Sequence, residues 1–223
     1  MRGPYLHPRA LLVAAGFVLA SLASGARASA SELNIAPDAF RVVQRDSGPV
    51  NYFTIVKEGG SSFLRAQYRP PLKTVVLGFQ APEPAKRALS VSWEWRARKL
   101  PNGGDECQDG KGDSAAVVYV TWKRGLRYYT LKYVWSAVGK KGAICDKKRN
   151  PFVAQDTVVF ESGPPLDTWK TVRVDLPAKF RAHFEDGDAN AEVPDFFGVG
   201  IMSDGDQTQS ESAADYRNFK ITF

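Results

Sequence analysis

The stretch that most constrains this chain is a 25-residue segment, 112–136, in which two runs typical of β-strands flank a single glycine. It reads GDSAAVVYVTWKRGLRYYTLKYVWS. Gly125 accepts the positive φ that tight turns between antiparallel strands require. With Arg124 and Gly125 at the turn, Val120 pairs with Tyr129. The segment therefore predicts a long β-hairpin.

The predicted hairpin has one apolar and one polar face, because successive side chains of a strand point to opposite sides. The apolar face comprises Ala116, Val118, Val120, Tyr129, Leu131 and Tyr133. The opposite face comprises Tyr119, Thr121, Tyr128, Thr130 and Lys132. We expect a sheet that buries its apolar side in a core and leaves its polar, aromatic side to solvent or a ligand.

The remainder of the chain predicts an all-β protein. Alternating runs bounded by Gly, Pro or Ser predict strands at 40–45, 50–56, 61–68, 74–80, 89–98, 158–161, 169–176, 196–202 and 214–223. One short helix is expected at 177–185. Strands and helices do not alternate, so the expected architecture is an antiparallel β-sandwich or jelly roll, formed by residues 31–223 as one domain.

The first thirty residues have the pattern of a secretory signal peptide. Arg2 and Arg9 precede an apolar run, 11–23, and Ala28-Ser29-Ala30 supplies a small-x-small cleavage site. The run is short for a membrane anchor, although an uncleaved anchor is the alternative. We expect cleavage after Ala30 and a periplasmic or secreted protein.

The charge balance favours no particular partner. Removal of the predicted leader takes away three arginines and no acid, so the net charge falls from +6 to +3. The basic cluster within 140–149 is expected to be a solvated loop, and a nucleic-acid partner is not predicted. No later segment is apolar for long enough to span a membrane.

Cys107 and Cys145 are the two cysteines of the chain and lie on either side of the hairpin. The hairpin brings them close to opposite each other at its open end. In an exported protein this arrangement predicts a disulfide. A metal site at this pair is disfavoured, because His183 is the one histidine left after processing and is distant in sequence.

The strand predicted at 89–98 supplies candidate ligand-binding residues. Its apolar positions, Val91, Trp93, Trp95 and Ala97, are expected to fill the core. Glu94, Arg96 and Arg98 then point the other way. If this strand neighbours the hairpin, they share one face with three hairpin residues, Tyr119, Tyr128 and Lys132.

Such a face suits a polar ligand, and we expect a saccharide or a cell-envelope polymer. A polysaccharide hydrolase or lyase that uses Glu94 or Glu161 with Arg96 is one alternative. A structural or assembly factor of the envelope, with a protein partner on this face, is the other. No catalytic signature points to an enzyme.

Asp204 and Asp206 follow an apolar strand and are candidate metal ligands. Together with the Thr208 hydroxyl and backbone carbonyls they could supply the hard oxygens that Ca²⁺ prefers. A second acidic loop contains Asp105, Glu106, Asp109 and Asp113. A solvent-exposed acidic turn is the alternative, and no other cofactor is predicted.

An ordered set of short motifs resembles a known family. The set comprises Trp93-Glu94-Trp95-Arg96-Ala97, Lys111-Gly112-Asp113, Val117-Val118-Tyr119-Val120, Tyr133-Val134-Trp135-Ser136, Glu161-Ser162-Gly163, Trp169 and Gly200-Ile201-Met202-Ser203-Asp204-Gly205-Asp206. It is similar to the bacterial domain-of-unknown-function family 3047 over about residues 63–223. The family usually has Asn-Thr where this chain has Gln207-Thr208, and the cysteine pair looks like a local addition. The resemblance implies an exported β-sandwich, similar to galactose-binding-like and lectin-like jelly rolls, with no established activity.

Overall fold

The computed structural model of the chain describes residues 1, 3, 30–45 and 51–223, with the backbone alone for 44 and 45. Nearly all of the predicted signal peptide therefore lies outside the described residues. No helix in the part of the chain that the structure describes is long and apolar enough to cross a bilayer.

The described chain forms mostly strands. They are β1 (Glu32–Ile35), β2 (Arg41–Arg45), β3 (Phe53–Glu58), β4 (Ser61–Tyr68), β5 (Val75–Gln80), β6 (Ser90–Lys99), β7 (Ser114–Arg124), β8 (Arg127–Ser136), β9 (Ile144–Arg149), β10 (Val153–Ser162), β11 (Lys170–Asp175), β12 (Asp195–Met202) and β13 (Ser212–Thr222). The α-helix α1 spans Leu176–Phe184, and short 3-10 helices span Pro37–Ala39 and Glu83–Arg87.

The strands form two sheets that pack as a β-sandwich of the jelly-roll type, which confirms the predicted fold class. Sheet 1 has the order β11-β6-β13-β4-β3, with β1 also paired to β13. Sheet 2 has the order β2-β5-β12-β7-β8-β10-β9. Each sheet thus has an inner face toward the core and an outer face away from it.

Large aromatic side chains fill the space between the sheets. Trp93 of β6 packs on Tyr133 of β8 with ring centroids 5.7 Å apart, and Trp95 packs on Trp135 at 6.1 Å. Val118 and Leu131 are fully buried on the same side. Burial of a large apolar side chain contributes roughly 1.5–3 kcal/mol. The predicted inner faces of β6 and of the hairpin are therefore confirmed.

The hairpin turn lies one residue later than predicted. Gly125, with a φ of +58°, and Leu126 form the turn. Arg124 pairs with Arg127, and Val120 pairs with Leu131 rather than with Tyr129. Because the register shifts by two residues, every side chain stays on its predicted face.

The predicted basic loop contains an additional strand, β9. Its lysine side chains are exposed, as expected of a solvated cluster. β10 folds back between β9 and β8, antiparallel to β9 and parallel to β8. Sheet 2 is therefore mixed rather than purely antiparallel. The short strand predicted at 158–161 is the second half of β10.

Helix α1 forms at its predicted place and covers part of the inner face of the hairpin. Asp175 caps it, because its carboxylate accepts a hydrogen bond of 2.9 Å from the Ala178 amide. Phe180 packs on Trp122 and on Tyr129, with ring centroids 5.6 and 5.2 Å apart.

Candidate functional site

The structure separates the residues that the sequence suggested as one ligand face. Glu94, Arg96 and Arg98 lie on β6 in sheet 1, whereas Tyr119, Tyr128 and Lys132 lie on β7 and β8 in sheet 2. The expectation that the β6 strand neighbours the hairpin is wrong, because β11 and β13 flank β6. The two groups therefore occupy the outer faces of opposite sheets.

On the outer face of sheet 1, arginines surround one buried carboxylate. Asp215 is fully buried and lies 2.8 Å from Arg65, 2.7 Å from Arg96 and 3.3 Å from Arg98. Its hydrogen bond is the principal cause that raises the pKa of Arg65. Nearby, Arg217 donates to Glu94 at 2.7 Å. We call this set the charged face: Arg65, Glu94, Arg96, Arg98, Asp215 and Arg217.

Aromatic rings cover the charged face. The Arg96 guanidinium lies 4.6 Å from the ring centroid of Trp169 and 5.3 Å from that of Phe63. Arg217 lies 4.0 Å from the centroid of Trp169. The predicted ligand residues of β6 are thus already engaged with protein partners in the middle of this face.

One end of the charged face remains hollow. This sheet 1 hollow has a volume of about 600 Å³. Typical ligand pockets measure roughly 300–1,000 Å³. Its lining includes Ser92, Glu94, Thr171 and Lys220. Glu94 also accepts a 3.1 Å hydrogen bond from the Asn218 amide, so its two oxygens are both bound.

One half of the outer face of sheet 2 lies under a loop. Lys132 is buried and its amino group lies 2.6 Å from Glu106, which belongs to the loop between β6 and β7. The predicted disulfide between Cys107 and Cys145 is confirmed, with 5.4 Å between the Cα atoms. Since Cys145 belongs to β9, the disulfide fixes this loop across β8 and β10.

A small apolar cluster lies on the same outer face, beside Lys132. Its buried members are Val76, Val117, Val134, Val159 and Met202. Met202 pairs with Val117, Val117 pairs with Val134, and Val134 pairs with Val159, so the cluster crosses four strands from β12 to β10. Val76 of β5 also belongs to it, and Ala143 packs against it. The covered half of sheet 2 therefore resembles a second, thin core, which excludes Lys132 from any open binding surface.

The other half of the outer face of sheet 2 is an open groove of about 400 Å³. Hydroxyl, amide and aromatic side chains line it: Gln80, Tyr119, Thr121, Thr130, Gln155 and Phe197. Tyr128 borders it through an edge-to-face contact with Phe197, with ring centroids 5.3 Å apart. The structure thus places Tyr119 and Tyr128 at the groove and leaves the other four predicted ligand residues away from it.

The predicted metal ligands Asp204 and Asp206 converge with a third carboxylate, Asp113. One oxygen of each lies within 4.8 Å of the others. Burial raises the pKa of Asp204 well above its ordinary value; the charge of Lys132 opposes this, and those of Glu106 and Asp113 reinforce it. Burial and the neighbouring Asp113 likewise raise the pKa of Asp206.

The role of the Thr208 hydroxyl as a metal ligand stays a prediction. The hydroxyl lies 2.7 Å from that of Ser210, and the backbone amide of Thr208 donates to Asp113. Three converging carboxylates fit a hard divalent cation, because such ions take several oxygen ligands. Asp113, Asp204 and Asp206 are the residues that could hold one.

Sequence reasoning missed Gln80 and Gln155 as groove residues and Asp113 as the third carboxylate of the cluster. The polar hairpin face already contained Thr121 and Thr130. Asp113 precedes β7 and Asp204 follows β12, and these ends meet because Val117 pairs with Met202. The pairing of β7 with β12 would have predicted this third carboxylate, and no local sequence pattern specifies that pairing.

The fold and the groove define the class of protein: a jelly-roll β-sandwich with an open groove on the outer face of sheet 2. A family model described as "Protein of unknown function (DUF3047)" matches residues 44–220. The chain therefore belongs to the DUF3047 family, as the ordered motifs predicted. No curated protein matches it significantly.

Several solved structures have a similar strand arrangement. The xyloglucanase domain of NopAA from Sinorhizobium fredii is 11% identical, with 87% of this chain and 99% of that chain covered and a TM-score of 0.43. A cellulase derived from Cel12A of Rhodothermus marinus is 12% identical, with 87% and 100% covered and a TM-score of 0.48. The family 11 carbohydrate-binding module of Clostridium thermocellum is 8% identical, with 89% of each chain covered and a TM-score of 0.38.

Proposed function

We propose that this protein is exported and binds a saccharide in the open groove of sheet 2. The observation that carries the proposal is the lining of the groove, which combines hydroxyl and amide groups with the rings of Tyr119 and Phe197. Sugar hydroxyls need donors and acceptors, and aromatic side chains offer an apolar body for the sugar ring beside a polar tip.

Export is supported by the disulfide between Cys107 and Cys145. Disulfides form and persist in oxidising compartments such as the periplasm and the extracellular space. The predicted leader, 1–30, agrees with that compartment. A cell-envelope polymer or an external polysaccharide would meet the groove there.

The geometry favours binding over cleavage by the predicted carboxylates. Glycoside hydrolysis normally needs two carboxyl groups roughly 5–10 Å apart. Glu94 lies in sheet 1 and Glu161 in sheet 2, so they do not form such a pair. Glu161 is bound at 2.9 Å by Lys141. We expect no release of reducing ends from bound polysaccharides, and such release, abolished in Glu94→Gln, would support the hydrolase instead.

The test is a glycan array with the full chain expressed with its leader and purified from the periplasm. Thr121→Arg fills the groove with a long side chain, whereas Thr171→Arg places the same change in the sheet 1 hollow. We expect binding to be lost in the first variant and kept in the second. The reverse result assigns the ligand to the hollow and overturns the groove.

Two other outcomes reject the saccharide altogether. One is silence across plant, algal and peptidoglycan glycans together with an unchanged melting temperature. The other is crosslinking of the groove to a protein in the native periplasm that Thr121→Arg abolishes, which would identify an envelope assembly factor.

We also propose that Asp113, Asp204 and Asp206 hold Ca²⁺ as a structural ion. A cation would neutralise carboxylates that otherwise repel one another. We expect Ca²⁺ to raise the melting temperature relative to protein in EDTA. In Asp206→Asn this rise should disappear while stability in EDTA is kept or increased. An equal Ca²⁺ effect in the variant, or none in the native protein, would argue for an acidic turn.

A further inference from the structure

We infer that the ligand is an uncharged polysaccharide chain that lies across the strands of sheet 2, an inference that rests on the proposed function. The occupant is defined by two properties of the groove. One is the direction of its hydrogen-bonding groups, and the other is the distribution of charge around it.

The hydrogen-bonding groups form one row across five strands. Gly198 of β12 pairs with Gln80 of β5 and with Thr121 of β7. Thr121 pairs with Thr130 of β8, and Thr130 pairs with Gln155 of β10. At the usual strand spacing of ~4.8 Å, the row from Gln80 to Gln155 spans roughly 19 Å. Such a row can contact several successive sugar units.

The middle of the row is free to bind a ligand. The Thr121 and Thr130 hydroxyls lie 3.2 Å apart and either can donate to the other. Each hydroxyl has more hydrogen-bonding capacity than this contact uses. Both side chains line the open groove and are half-buried, so this capacity is available to a ligand there. Gly198 between Gln80 and Thr121 leaves the path unobstructed.

Glycines also form the floor of the groove. Gly200 of β12 pairs with Gly78 of β5 on one side and with Tyr119 of β7 on the other. A Cβ atom at Gly200 would lie 3.3 Å from the Tyr119 ring, and one at Gly78 would lie 2.9 Å from a Val43 methyl. Val43 and Tyr119 thus pack beside these glycines and border the groove, where the backbone of Gly78 and Gly200 forms part of the floor.

The described lining of the groove contains no charged side chain. Charges begin at its ends. Beyond Phe197 an adjoining 230 Å³ pocket contains Lys86, Lys123 and Asp195. At the other end the Gln155 amide donates to Asp146 at 3.3 Å. An acidic polymer would bring a charge on each unit into a groove without cationic partners, at a desolvation cost that a neutral chain avoids.

The first experiment compares neutral and acidic polysaccharides of similar length by calorimetry on the full processed chain. We expect binding to neutral β-glucans or mannans, with an affinity that is unchanged between about 0.05 and 0.5 M NaCl, because no ion pair is screened. Binding to alginate or polygalacturonate alone overturns this inference and leaves the proposed function standing. If neither class binds, both fail.

The second experiment tests the direction of the chain with Gln80→Ala and Gln155→Ala. We expect both variants to weaken a long neutral oligosaccharide about two- to ten-fold, the equivalent of one hydrogen bond each. For a disaccharide, we expect each variant to lose less affinity than it loses for the long oligosaccharide. A short ligand cannot contact both ends of the row. Gln67→Ala on β4 is the matched control. A ligand that runs along the strands would respond to one variant alone, which would refute the crossing direction.

Discussion

The two outer faces of the sandwich have the same strand geometry but differ in how far their side chains cover the sheet. On the charged face, long side chains reach across neighbouring strands, and three arginines enclose Asp215. In the groove, the middle of the sheet has threonines and glycines. Thr121 and Thr130 contact each other across two strands but are too short to cover the face. Side-chain length, rather than strand arrangement, therefore separates a face whose middle is closed by its own residues from one whose middle is an open groove.

Sheet 2 also shows a second way to close a face. The loop that contains Glu106 and Cys107 covers its far half, with an ion pair to Lys132 and an apolar cluster on the same face. The disulfide from Cys107, near the middle of the loop, to Cys145 fixes the loop to β9. The groove is thus the part of the outer face of sheet 2 that neither long side chains nor this loop covers.

The largest expected effect comes from removing the centre of the charged face. Asp215→Ala leaves three arginines without their shared acceptor, and loss of one partner of a buried ion pair costs about 3–5 kcal/mol. We expect a loss of that order in the free energy of unfolding, measured with urea. Asp167→Asn removes an exposed charge 3.5 Å from Arg98, keeps a residue that tolerates the positive φ of 58° at this position, and should cost less than about 1 kcal/mol. Equal losses would show that Asp215 has no central role.

The disulfide should contribute almost as much. Replacing Cys107 and Cys145 together by serine is expected to cost about 3–4 kcal/mol on the chain-entropy model. Hydrogen exchange should increase in the covering loop, residues 100–113, and remain unchanged in β6 of sheet 1. Reductant should destabilise the native protein and leave the double variant unaffected. A loss below about 1 kcal/mol in the double variant would mean that the loop is held by Glu106 and the apolar cluster instead.

A smaller effect is expected at the aromatic cover of the charged face. Trp169 contacts the guanidinium groups of both Arg96 and Arg217. Trp169→Leu keeps an apolar cover but removes the ring, and we expect a loss of about 1 kcal/mol. Saccharide binding should stay unchanged. If binding falls while stability holds, Trp169 belongs to a ligand platform and the contrast between the faces is wrong.

The smallest effect on stability should come from the groove itself. In Thr121→Val and Thr130→Val the shape is kept while one hydroxyl is removed, so the free energy of unfolding should change by less than about 0.5 kcal/mol. Affinity for the saccharide should still fall about two- to ten-fold. Thr171→Val in sheet 1 is the matched control and should alter neither quantity. Stability losses above about 1 kcal/mol would place the two hydroxyls among the structural contacts.

Much of the fold could be predicted because period-two alternation decides which side of a strand faces the core. The two-residue register error in the hairpin did not matter for this reason, and Val118 and Leu131 are buried as expected. The disulfide also followed from local information, since the hairpin itself brings Cys107 and Cys145 together. Helix α1 has its own cap and aromatic pair within ten residues.

The site could not be predicted in the same way, because alternation does not specify which strands are neighbours. Glu94 and Tyr119 have equivalent outward positions, yet their strands belong to different sheets. The groove row, from Gln80 to Gln155, joins five strands that are scattered along the chain. The sequence by itself therefore determined the sandwich, its inner faces and its crosslink. Only the tertiary structure decided which outward side chains meet. Long-range strand order determines which side chains become neighbours, and the lengths of those side chains determine whether they touch.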